Sequence, residues 1–187
     1  MFSDTIRHAA KSTVVVAAII IAIVVTITGV LQLVSSHLHD GPEELYNFAT
    51  AAKRFHEKIE GTGLLEDIAT LTEVIAHESS DNSSEIEASI QQGMLSARGY
   101  RDQFNWLSPT TDSLELFESL VREGRLIGSC YSRLNLAWSE KQAGDEAQCA
   151  QHLEEVRALY DEVVVLREQN KLNLDNLMAQ SEQERSH

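Results

Sequence analysis

Proline occurs only twice in the 187-residue chain, at Pro42 and Pro109, and aromatic side chains make up 6% of it. Little therefore interrupts a helix, and the aromatic residues that strands favour are scarce. Two cysteines, Cys130 and Cys149, are too few for a disulfide framework. Without Cys-x-x-Cys or Cys-x-x-Cys-His spacing they carry no thioredoxin-like or haem-attachment motif. Basic residues are outnumbered, 15 Lys+Arg against 29 Asp+Glu, for a net charge of −14. Such a balance argues against nucleic acid and against spreading over anionic lipid. The chain also lacks Gly-x-Ser-x-Gly and a P-loop, and Glu-x-x-His occurs once, at Glu184 and His187 in the polar tail, and not as the inward pairs of di-iron bundles. These absences predict a protein that is not an enzyme and that has no catalytic, cofactor-binding or metal-ligating residues.

One long apolar run stands out. Val14 to Val34 holds no charged residue, and its polar members are Thr26, Thr28 and Gln32. About 20 apolar residues are what a helix needs to cross ~30 Å of hydrocarbon. A segment inside lipid must satisfy its own backbone, so the β-branched Val and Ile do not argue against a helix. Arg7 and Lys11 precede the run, and beyond it no Lys or Arg appears until Lys53. The positive-inside rule then places the N-terminus in the cytoplasm. The apolar stretch exceeds the roughly 7–15 residues of a cleaved signal core, although Val34-Ser35-Ser36 offers small residues to a peptidase. The expected organisation is a cytoplasmic tail over 1–12, an uncut transmembrane signal anchor over 13–36, an extracytoplasmic helical bundle over 37–182, and a polar tail over 183–187. This is a single-pass protein of the cell (inner) membrane with its C-terminal domain periplasmic or extracellular. Ala18, Ala22, Thr26 and Gly29 line one face of the span and would admit a partner helix in the membrane.

Beyond the span 13 Lys+Arg face 28 Asp+Glu, once Asp4, Arg7 and Lys11 are set aside. Helix periodicity runs through this region. Pro42-Glu43-Glu44 starts a helix reaching about Glu60, with a Leu45, Phe48, Ala52, Phe55, Ile59 seam. Gly61-Thr62-Gly63 breaks it. A second helix over Leu64–His77 turns Leu64, Ile68, Leu71 and Ile75 inward, and a third over 84–106 places Ile86, Ile90, Gly93, Ala97, Tyr100, Phe104 and Leu107 on one side. Gly93 and Gly99 weaken its centre, which points to a kink or a close backbone contact there. Asp112-Ser113-Leu114-Glu115 reads as a capping box for a fourth helix reaching about Lys141, with Leu114, Phe117, Val121, Gly124, Ile127, Tyr131, Leu134 and Trp138 inward. Gly124 and Gly128 cost such a helix about 1 kcal/mol each relative to Ala, which a close helix crossing would explain.

Asp145 caps a fifth helix over about 145–182. Its seam runs through Cys149, Leu153, Val156, Tyr160, Val163, Asn170, Leu174 and Leu177, and Arg167 and Asn170 interrupt it. At ~57 Å it outruns a compact bundle. Asn170, Leu174 and Leu177 are therefore expected either to complete the bundle seam or to meet a partner. Ala137, Trp138, Ala143-Gly144-Asp145-Glu146-Ala147 and Leu153 together resemble the turn between the two helices of a tetratricopeptide repeat. The resemblance covers one turn, does not recur at 34 residues, and implies a helical hairpin there.

The fold class expected is thus all-α: one transmembrane helix followed by an antiparallel bundle of about five helices, the last one long. Cys130 and Cys149 either bridge or remain buried thiols. With a turn near Gln142–Gly144 they sit out of step, and a bridge requires the loop to start near Ser139. His37 and His39 with Asp40 lack a further metal ligand and read more simply as a solvated pair, and Cys149 and His152 could make a three-ligand site with Cys130 but read more simply as buried or bridged side chains. The function expected is that of an accessory or scaffold subunit whose bundle contacts other membrane protein subunits. A sensor-like, ligand-binding bundle that signals through a partner is the alternative.

Overall fold

The computed structural model describes residues 41–77 and 83–186. Every regular element among them is helical: α1 Pro42–Glu60, α2 Leu64–His77, α3 Ser83–Phe104, a short 3-10 turn at Thr111–Ser113, α4 Leu114–Ala143 and α5 Glu146–Arg185. No helix among the described residues is long and apolar enough to cross a membrane. The Val14–Val34 run, with Ala18, Ala22, Thr26 and Gly29, lies outside them, as do His37, His39 and Asp40.

The helices form a bundle of four rods, because α1 and α2 run end to end. Phe48 meets Phe117 with ring centroids 6.5 Å apart, and further along Lys141 Nζ reaches the Ala76 carbonyl at 3.5 Å. The α1–α2 rod therefore runs parallel to α4. α5 returns antiparallel, tied to α4 by Arg122–Glu162 and by Arg133–Glu155 at 3.0 Å. α3 is antiparallel to α4 as well, with Gln91 opposite Asn135 and Tyr100 opposite Glu123. The break in the first rod is local chemistry. Gly63 adopts φ +68°, a left-handed conformation that glycine takes without steric cost, and Asp67 N–H donates to the Gly63 carbonyl at 2.8 Å to start α2.

The α4–α5 turn follows its sequence closely. Gly144 has φ +79°, and Asp145 N–H donates to the Glu140 carbonyl at 2.9 Å while Gly144 N–H donates to Lys141 at 3.1 Å. This double closure satisfies the last carbonyls of α4. The Asp145 carboxylate then accepts from Gln148 N–H at 3.0 Å and caps α5. The start of α4 departs from expectation. The box forms two residues earlier, over Thr110–Ser113: Ser113 is buried and its hydroxyl accepts from Thr110 N–H at 2.8 Å, so Asp112 is not the cap.

The inward faces of α2 and α3 hold the residues expected there. The first half of α4 is rotated, burying Leu116, Leu120 and Glu123, whereas Leu114 is 38% exposed. α5 reaches Arg185, and its far end is covered from within the bundle. Leu174, Leu177 and Ser181 are buried, Lys53 Nζ pairs with Asp175 at 2.7 Å, and the Arg185 guanidinium lies 4.2 Å above the Tyr46 ring. α1 supplies the surface that a fraying end would have lacked, so Asn170, Leu174 and Leu177 belong to the bundle seam.

Candidate functional site

Two features separate this bundle from a simple apolar one. The first is a network of buried polar side chains at mid-height. Glu123 on α4 is fully buried. Its carboxylate accepts from Arg167 Nη1 at 2.8 Å, from Asn170 Nδ2 at 2.7 Å and from the Tyr100 hydroxyl at 3.2 Å. His56 Nε2 lies 3.4 Å from the same carboxylate, in poor hydrogen-bond alignment. Arg167 also donates to the His56 carbonyl at 2.9 Å, and Ser119 donates to Asn170 Oδ1 at 2.6 Å. Four helices thus meet on one carboxylate. Burial pushes the Glu123 carboxyl up, but His56, Asn170 and Arg167 outweigh it and hold the group below the ordinary carboxylate range. The Tyr100 hydroxyl is pushed well up by burial and by the Glu123 charge, so it serves as a donor.

Arg167 and Asn170, which break the apolar seam of α5, are therefore its polar contribution to this network. Glu123 and His56 are not visible as members from their own helices. The available signal was the interruption itself: two polar residues on a buried seam require a buried partner. A small cavity of about 210 Å³ opens beside His56, rimmed by Lys53, Glu57, Glu60, Lys171 and Asp175. Lys53–Asp175 at 2.7 Å and Lys171–Glu60 at 3.4 Å close its rim. The space is below the roughly 300–1,000 Å³ of ordinary ligand sites.

The second feature is an open groove of about 490 Å³ between α3 and α4. Gly124 forms part of its floor. A Cβ there would meet Arg101 Cα at 3.4 Å, so α3 and α4 do cross closely at this point. A Cβ on Gly128 would meet nothing within 4 Å, and no crossing within the bundle accounts for that glycine. The tightest approach lies elsewhere, at Gly93, where a Cβ would fall 1.9 Å from Tyr131 Cε1. Tyr131 is itself held by its hydroxyl, which donates to the buried Leu64 carbonyl at 2.9 Å.

Cys130 and Cys149 are both buried and both free. The register explains why. The pairing of Arg133 with Glu155 sets Cys149 level with about Ser139. Cys130 then lies roughly 13 Å further along the hairpin by the helical rise, beyond the ~7 Å a bridge spans. Burial pushes the Cys130 thiol up to about 12. Among the described residues no cluster of three or more His, Cys, Asp or Glu side chains converges as a metal site. Comparison with protein families, curated proteins and solved structures finds no match to this chain.

Proposed function

We propose that the chain is a single-pass membrane accessory or scaffold subunit, without enzymatic activity, whose helical bundle lies outside the cytoplasm and contacts other membrane protein subunits. The observation that carries this reading is the uncharged Val14–Val34 run, with Arg7 and Lys11 before it and no Lys or Arg after it until Lys53. The small-residue face of Ala18, Ala22, Thr26 and Gly29 supports a partner helix in the bilayer. The arrangement of the bundle is consistent with an anchor. Its first helix, its α3–α4 connection and the end of α5 share one end, and Trp106 on that connection is 85% exposed. Membrane interfaces favour such a side chain.

Extraction of the full chain in mild detergent, followed by affinity capture through a C-terminal tag, tests the reading. A membrane protein recovered in fixed stoichiometry is expected. A clean monomer with nothing co-purifying, or cleavage of the C-terminal domain by protease added from the cytoplasmic side, would refute it. The sensor alternative has one observation in its favour, the small cavity beside His56 and the buried charges behind it. A small molecule that raises the melting temperature of wild-type protein, but not of a variant with the cavity rim altered at Lys171, would favour that alternative.

A further inference from the structure

We infer that the α3–α4 groove is a docking site for an acidic helical segment of a partner protein. This rests on the reading that the bundle contacts other subunits, and it names the surface and the chemistry. The groove is lined by Arg98, Arg101 and Arg125, and no acidic residue lines it. That concentration is unusual for a chain with 29 Asp+Glu against 15 Lys+Arg. Asp102 lies at the edge, 3.7 Å from Arg98 and 3.4 Å from Arg101. Arg125 has no ion pair among the described residues and is exposed. Guanidinium groups present a planar fork that matches a carboxylate.

The floor has the shape a helix requires. Ala97 and Gly124 are buried, and above Gly128 there is open space. A solvent-facing glycine inside a helix lowers helix stability, and no contact within the bundle requires this one. A helix laid against it approaches without obstruction, as small residues permit at helix crossings. Met94 lines the groove, and next to it on the same helices Leu95 of α3 is 64% exposed and Leu136, one helical turn past Ser132 on α4, is 40% exposed. A docked helix would set apolar side chains on these leucines and carboxylates on the arginines, the usual two-part logic of helix-in-groove recognition. The overall charge of −14 repels acidic molecules at long range, so capture of an acidic helix must come from these local arginines.

The experiment uses the full chain in detergent and a synthetic probe. The probe is a fluorescently labelled Ala/Leu helix with Glu on one face, and its control carries Gln at the same positions. Fluorescence anisotropy is expected to show binding of the Glu probe alone, weakening as salt is raised. Arg125→Ser is expected to reduce affinity about tenfold, the loss of one charge-assisted hydrogen bond. Gly128→Leu is expected to abolish binding while leaving the melting temperature no lower than wild type, which separates blockage from misfolding. Equal binding of both probes, no binding of either, or binding unchanged by both substitutions would overturn the proposal. A dimer of the full chain that Gly128→Leu dissociates would overturn it as well, because the occupant would then be a second copy. Co-purification of a membrane partner that survives Gly128→Leu would leave the accessory-subunit reading standing and remove only the groove.

Discussion

Replacing Glu123 by Gln tests the centre of the bundle most directly. The substitution keeps the shape of the side chain and removes its charge. In the native network Glu123 is 0% exposed and accepts hydrogen bonds from Arg167, Asn170 and Tyr100. A glutamine amide oxygen can still accept from Arg167, but it carries no charge, so the nearest remaining carboxylate is the half-exposed Glu60 at 3.7 Å, although the Arg167 side chain is 6% exposed. An uncompensated buried charge of this kind costs about 3–5 kcal/mol. A domain of this size has a total stability of about 5–15 kcal/mol, so a fifth or more of it is at stake. Urea denaturation of the full chain in detergent, followed by far-UV circular dichroism, is expected to show a lower midpoint with an unchanged slope. Combining Glu123→Gln with Arg167→Met is expected to cost less than the sum of the two single changes, because each removes the other's reason for a penalty. The pH dependence follows the same group. The folded carboxyl sits below its unfolded value, so its contribution is complete above the unfolded carboxylate range and is lost as pH falls through the lower, folded value. Wild type is therefore expected to lose stability in acid more steeply than Glu123→Gln. A loss of less than about 1 kcal/mol at neutral pH, or identical acid profiles for the two proteins, would refute the network as described.

Further outcomes follow from individual contacts. Gly93→Ala places a methyl carbon 1.9 Å from Tyr131 Cε1 and is expected to destabilise by about 1–3 kcal/mol, the usual cost of overpacking. Gly99→Ala and Gly128→Ala meet nothing within 4 Å and are expected to raise the unfolding free energy by up to about 1 kcal/mol in the same assay, so a common sign for all three would contradict the packing. Tyr131→Phe removes the hydroxyl bond to the Leu64 carbonyl, which keeps its place in the α2 backbone ladder, and is expected to cost about 0.5–1.5 kcal/mol, read from thermal melts. Cys130 and Cys149 are expected to alkylate only on unfolding, giving two modified thiols by intact mass in denaturant and none before it; a chain that takes up no label in denaturant would mean they are bridged.

The helices and their punctuation could be read from local chemistry. Pro42 with two acids after it, Gly61 and Gly63, and Gly144 followed by Asp145 each act within a few residues, so their effects are written in sequence order. The apolar spacing of α2 and α3 named their buried faces for the same reason. The identity of the deepest residues was not local. Glu123 and His56 are buried because α5 brings Arg167 and Asn170 to them across more than 40 residues of chain. An isolated helix would have kept both in water. Gly93 shows the same dependence: the glycine pointed to a close contact within α3, but that Tyr131 of α4 is what lies over it came only from the packing. The long end of α5 depended on α1 lying alongside to cover Leu174 and Leu177. Periodicity along one helix states which side turns inward, and only the packed neighbours decide whether a charge on that side finds its opposite, because the desolvation of a charge is repaid by groups from other helices or not at all.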